Sequence, residues 1–219
     1  QDTAFLCRFP VRGAAAPGAA FLLGDNDLSR ALKAALEKQG TRVTLVAASD
    51  DVDSVLKMFD AACEGDAVRH LFLLTPHDAA AKTTLESAGW RDRRQVGVML
   101  PYRVCQRWYQ HVVERGLLAE ASATAVTSLG GDFGFSGQVR GAEGGALSGL
   151  LKGVAMETAL SKNVTSGFRV KVIDGGASVS PAELASFVLN ELAGDPDGKE
   201  PETGCAQGKR GLARPMVIP

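Results

Sequence analysis

The sequence is short of net charge. Its 24 Lys and Arg balance 25 Asp and Glu to leave −1, with a pI near 6.4. That gives no basic field for nucleic acid and no polybasic face for a membrane surface. Long apolar runs are also missing. The longest, such as Ala19–Leu23 and residues 71–74, are strand-sized, far below the ~20 residues of a membrane span. Four cysteines, Cys7, Cys63, Cys105 and Cys205, form no C-x-x-C pair, so neither a zinc site nor a redox motif is supported and the thiols read as buried groups in a reducing cytosol. The three histidines, His70, His77 and His111, lack a metal spacing, and no metal is expected. Gln1-Asp2-Thr3 opens without the basic and apolar stretches of a signal peptide. The chain begins without Met and is expected to be a cytoplasmic segment excised from something longer.

What is present is a soluble-domain composition, 45% hydrophobic and 22% charged over 219 residues. A chain of this length buries about 70% of the surface its unfolded form exposes, enough to fold without disulfide or metal. Strand-like and helix-like patterns alternate. Residues 18–24, 42–47, 68–74, 121–129 and 168–173 read as buried strands. Residues 27–39, 51–63, 144–160 and 180–192 read as helices. In the last of these Ser180 caps and Pro181 stands in the first turn. A helix ending near Gly116 is expected to begin at Pro101, which argues against a helix running through from Gln95. Residues 85–94 are polar and less regular, 194–203 read as a surface loop, and 210–218 as a last short strand. Residues 1–17 are expected to be an extension or docking strand. Strands alternating with helices imply βαβ units, hence a single α/β domain over 1–219: a Rossmann-like, doubly wound, mostly parallel sheet, order 3-2-1-4-5-6, with helices on both faces.

The stretch AVTSLGGDFGFSG, followed by EGGALSGLLKGVAMET and FRVKVID, resembles the second half of a short-chain dehydrogenase/reductase. GGDFGFSG with EGGALSGLLKG, and the final GKRGLARPMVIP, are similar to ketoreductase regions of bacterial type I polyketide synthases and polyunsaturated fatty acid synthases. In that family a strand ends in a catalytic Ser, a Tyr-x-x-x-Lys pair follows on a helix, and a Gly-rich turn after the first strand holds the cofactor's diphosphate. Residue by residue, the Ser position falls on Ser128 (or Thr127). The resemblance puts the Tyr position on Arg140 and the Lys position on Gly144. Tyr102 and Tyr109 are followed four residues on by Gln106 and Val113, so no Tyr-x-x-x-Lys exists. No Asn lies between Leu85 and Ser128, where the family's helix-four Asn would stand.

The cofactor turn is degraded too. It reads Gly24-Asp25-Asn26-Asp27, with Leu28 and Arg30 where later glycines would be. Asp25 and Asp27 put negative charge where a diphosphate would sit; at ~4 Å and an effective dielectric of about 20 each like-charge contact costs on the order of 4 kcal/mol before screening. After the second strand, Asp50 reads as an N-cap more readily than as a holder of a ribose diol. Of the remaining candidates, His70 reads as packing or facing solvent, His77 as a solvated loop residue, and His111, near Trp108, as structural. The run of Arg91, Arg93 and Arg94 reads as a solvated surface, or as a contact for a phosphopantetheine arm or a carrier protein's acidic face, with Trp90 as an interface anchor. Gly130, Gly131, Gly134 and Gly137 mark a flexible or tightly turning loop.

The resemblance implies two functions. One is a non-catalytic structural ketoreductase-like domain that needs no cofactor and supports a catalytic ketoreductase half, beside an acyl carrier protein, in a homodimeric synthase. The other is a divergent NADPH-dependent β-ketoacyl reductase, with Ser128 polarising a carbonyl and His77 or Lys152 supplying the proton.

Overall fold

The computed structural model describes residues 18–81, 87–160, 168–195 and 200–212. The 1–17 segment and most of the expected last strand lie outside the described residues.

β1 (Ala19–Leu23) is five apolar residues, all buried, as a central strand covered on both faces must be. α1 (Asp27–Lys38) follows, then β2 (Arg42–Val46), α2 (Val52–Gly65) and β3 (Val68–Leu73). A helical path runs from α3 (Ser87–Arg94) through a π turn at Gln95–Met99 into α4 (Leu100–Glu114). β4 (Ser122–Thr127), α5 (Gly144–Leu160), β5 (Arg169–Gly175) and α6 (Pro181–Gly194) complete the alternation, and β6 (Glu202–Ala206) and β7 (Lys209–Leu212) close the sheet. The seven strands lie in the order β2-β1-β3-β4-β5-β6-β7. All neighbours are parallel except β6 and β7, which form an antiparallel hairpin.

Two apolar layers flank the sheet. On one face Phe21, Leu71, Leu73, Ala123 and Val172 pack with Phe59 of α2, Trp108 of α4 and Leu147 of α5. On the other, Leu22, Phe72, Val126 and Ile173 pack with Leu28 and Leu32 of α1 and Val188 of α6. This is the doubly wound, mostly parallel sheet that the alternation implies. In its order a single strand, β2, stands outside β1, where 3-2-1-4-5-6 has two. Only one βα unit precedes the return across β1, so the direction of winding reverses between β1 and β3.

Three local expectations are corrected. Residues 87–94 are helical, and although α4 does begin beside Pro101, the helical path runs into it from Ser87 through Gln95 without a break. The Leu100 amide reaches back five residues to the Gln95 carbonyl, and this widened turn admits a proline that a regular α-turn would reject. The cap of α2 is Asp51, whose side chain accepts from the Ser54 amide at 3.0 Å, not Asp50. Part of the stretch read as a loop up to residue 203 is β6, where Gly204 lies so close to the loop after β4 that a Cβ would stand 2.1 Å from the Gly131 carbonyl oxygen.

Gly204→Ala is therefore expected to cost about 1–3 kcal/mol by overpacking. Gly149→Ala, in the middle of α5 with open space around its would-be Cβ, should gain up to about 1 kcal/mol of helix propensity. Urea unfolding midpoints of the two variants should move in opposite directions.

Candidate functional site

The turns after β1, β3, β4 and β5 meet at the C-terminal edge of the sheet, where open α/β sheets hold their ligands. They enclose a cavity of about 700 Å³ lined by Asp25, Asn26, Pro76, His77, Ser128, Arg140 and the Gly175–Leu184 stretch among others.

Gly24 (φ 113°) makes the turn after β1, and a Cβ there would stand 3.0 Å from the backbone of Leu74 and Thr75. Asn26 then caps α1. Its Oδ1 accepts from the Ser29 amide at 3.0 Å, while Ser29 Oγ accepts from the Asn26 amide at 2.8 Å. The Asn26 Nδ2 donates to the Leu74 carbonyl at 3.1 Å and to Asp78 Oδ1 at 2.9 Å. Two amides of this helix N-terminus, where a diphosphate would be held, those of Asn26 and Ser29, are thus engaged by the chain's own side chains. Asp25 and Asp27 flank them and share Arg30, at 2.9 and 3.0 Å. These residues do not fit a dinucleotide's diphosphate.

The space between β3, β4 and the start of α5 is filled by a buried ion network. Arg93 donates through Nε and Nη2 to Glu143 Oε1 at 3.0 and 2.9 Å, and through Nη2 to the Thr75 carbonyl at 2.8 Å. Asp78 Oδ2 lies 3.3 Å from the same nitrogen. Burial pushes the Asp78 carboxyl up, against the opposing pull of the Asn26 amide and Arg93. Glu143 has no solvent exposure, and Gly97 of the π turn leaves it room: a Cβ there would lie 2.8 Å from the carboxylate. The Arg91, Arg93, Arg94 run is therefore not one solvated patch, because Arg93 turns inward while Arg91 and Arg94 stay exposed. Trp90 beside them is half-buried.

Ser128 is buried and donates its hydroxyl to the Pro76 carbonyl at 2.8 Å. Gly141 packs over it, with room for no Cβ: one would stand 3.0 Å from Ser128 Oγ. Arg140 lies in the loop before α5, exposed, with its amide on the Ser128 carbonyl at 2.8 Å. Gly144 is the first residue of α5, pressed against Thr127. His77 is not simply solvated. Its Nε2 lies 3.1 Å from the Thr127 carbonyl, and since a carbonyl only accepts, that nitrogen carries the proton. Desolvation lowers the pKa to about 4, helped by the nearby Arg140 charge and opposed by the Thr127 bond. Lys152 pairs with Glu202 at 2.9 Å, away from this cavity. His70 is buried against Ser122 Oγ at 2.9 Å, and His111 stands edge-on to Phe59 at 5.9 Å. Among the described residues no group of three or more His, Cys, Asp or Glu is placed to hold a metal, and no helix is long and apolar enough to cross a membrane.

The residue that sequence reasoning missed is Asp174, at the end of β5. Fully buried, it accepts from Thr127 Oγ1 and the Leu129 amide on one oxygen, each at 2.6 Å, and from the Gly131 and Phe133 amides on the other at 2.6 and 2.8 Å. It pins a loop in which Gly130, Gly131, Phe133, Gly134 and Gly137 all have positive φ, the tight turn that the glycines imply.

Asp174→Asn should destabilise the chain by about 3 kcal/mol or more, since one amide cannot replace an anion facing four donors. The urea midpoint reads this. His77, neutral when folded and ordinary when unfolded, makes the unfolded chain bind the extra proton between pH 6.5 and about 4. Its contribution to stability accordingly falls as pH drops through that window. His77→Gln should flatten this part of the stability–pH curve, and a wild-type slope retained in the variant would contradict the assignment.

No family model matches the sequence, and no curated protein matches it. Solved structures do. A short-chain dehydrogenase from Streptomyces avermitilis is similar with TM-score 0.59 at 19% identity, covering 85% of this chain and 87% of its own. A short-chain dehydrogenase/reductase of glucose/ribitol dehydrogenase type from Brucella melitensis gives 0.56 at 18%, covering 80% and 88%. A protein described as ribose-5-phosphate isomerase, also from Brucella melitensis, gives 0.56 at 15%, covering 80% and 76%. The chain has a Rossmann-like fold of the short-chain dehydrogenase/reductase type.

Proposed function

We propose that this chain is a non-catalytic ketoreductase-like domain that supports a catalytic ketoreductase half within a polyketide or fatty-acid synthase. The observation that carries the reading is that the polar side chains at this edge are engaged with one another. Arg93 is bonded to Glu143, just before α5, and Asn26 is bonded into the turn after β1. A reductase needs a proton donor beside a bound hydride carrier. Here Ser128 is spent on Pro76 and His77 already donates to Thr127. The synthase setting rests on the resemblance of GGDFGFSG and EGGALSGLLKG, and the carrier protein would belong to the same assembly.

The outer face of α5 supports a partner. The helix has two charged residues, Lys152 and Glu157, in seventeen, and a helix apolar all round is normally covered all round. Yet Gly145, Gly149 and Gly153 face open space, Met156 is 67% exposed and Leu160 82% exposed. A groove of about 440 Å³ lined by Tyr102, Tyr109, Leu150 and Val154 runs between α4 and α5. The apolar face is on these helices; in the hairpin at the end of the chain, Lys209 and Arg210 of β7 are exposed.

Titration of this chain with NADPH, followed by cofactor fluorescence, should show no saturable binding, and β-ketoacyl thioesters should not be reduced. Tight binding or reduction would sink the structural reading in favour of a divergent reductase. With the parent synthase's catalytic ketoreductase half, the chain should form a 1:1 complex by sedimentation, and Gly149→Leu on the α5 face should weaken it by about tenfold or more.

A further inference from the structure

The helical path from α3 through the π turn into α4 turns one line of side chains inward, with Arg93, Gly97, Pro101 and Cys105 on it, and leaves the opposite line in solvent. Arg91, Gln95, Met99 and Arg103 recur about once per turn on that outer side, with Arg94 and Tyr102 beside them. None of these three arginines has an ion pair among the described residues. Other arginines of the same path are engaged: Arg93 with Glu143, and Arg107 with both carboxylate oxygens of Asp60 at 2.8 Å. The one acid between Ser87 and Gln106 is Asp92, so three cations without an ion pair stand against one anion. Met99 and Tyr102 lie among them, 40% and 44% exposed. Arg, Tyr and Met are enriched where proteins meet, and Lys and Glu, both missing from this stretch, are depleted there. The chain's net charge of −1 gives a nucleic acid no long-range attraction, which favours a protein as the partner.

We propose that this stripe docks an acidic amphipathic helix of a partner protein, its carboxylates on Arg91, Arg94 and Arg103 and an apolar side chain between Met99 and Tyr102. Because the π turn carries the path past Pro101 without a break, the cations of α3 and of α4 sit on one rod. From Arg91 to Arg103 that rod runs about 18 Å at ~1.5 Å per residue, the length of about three helical turns. Carboxylates spaced i,i+4 on a helix laid alongside meet the arginines in step. Guanidinium forks take carboxylates bidentately, and the flexible thioether adapts to an apolar neighbour.

The test is fluorescence anisotropy of a labelled peptide of about 14 residues that carries Glu at i,i+4 positions with Leu between them. It should bind saturably at about 10–100 μM in about 50 mM salt and about tenfold more weakly in about 300 mM salt. The same peptide with Lys in place of Glu should not bind. Arg94→Glu combined with Arg103→Glu should weaken the acidic peptide by about thirtyfold, and Met99→Ala by about threefold. All three positions are exposed, so the variants should keep the wild-type urea midpoint, and lost binding in a folded variant is specific to the stripe. No saturable binding of the acidic peptide, binding of the Lys peptide, binding undiminished by the double reversal, or equally tight binding of a single-stranded oligonucleotide of the same length would each overturn the proposal. The stripe stands independently of the supporting role: these variants lie off the α5 face, and neither the NADPH titration nor the complex with a catalytic half decides it.

Discussion

The carboxylate of Asp174 is out of reach of water, and everything on the C-terminal edge of the sheet is arranged around it. An anion there is tolerable only because four donors converge on its two oxygens. Three of those donors are backbone amides of the loop after β4, so the loop's path is dictated by the charge. That path sets Gly131 against β6, where a Cβ would stand 2.5 Å from the Cys205 carbonyl oxygen, and brings Arg140 back onto Ser128. The shape of the cavity wall thus follows from one side chain at the end of β5.

Along the same edge the side chains bond to the protein's own groups: Asn26 at the turn after β1, Glu143 beneath the π turn, Ser128 on Pro76. Each has a partner inside the protein.

Much of this was legible in the sequence, for physical reasons. β1 is an unbroken apolar run and β3 ends in the apolar Leu71-Phe72-Leu73, as a doubly covered strand can use, and Ser180 with Pro181 announces the start of α6. The degraded turn was visible as Asp25 and Asp27. Arg93 was not legible, because an arginine in the run R-D-R-R looks like surface until its partner is known, and Glu143 lies fifty residues away. Asp174 ends a hydrophobic strand and reads locally as the residue where solvent begins. β6 is five residues with a glycine in the middle, too weak a pattern to stand out from a loop. The π turn hid behind Pro101, since the sequence signals a proline's cost but not the widened turn that removes it.

The Arg93–Glu143 pair also constrains which sequences are reachable from this one. Removing Arg93 alone leaves the fully buried Glu143 without its cation, a loss of about 3–5 kcal/mol against a total stability of about 5–15 kcal/mol. Two positions fifty residues apart are therefore tied: neither is free to change far ahead of the other. The pair acts as a ratchet, so that sequences differing at both positions are harder to reach than their distance in substitutions suggests.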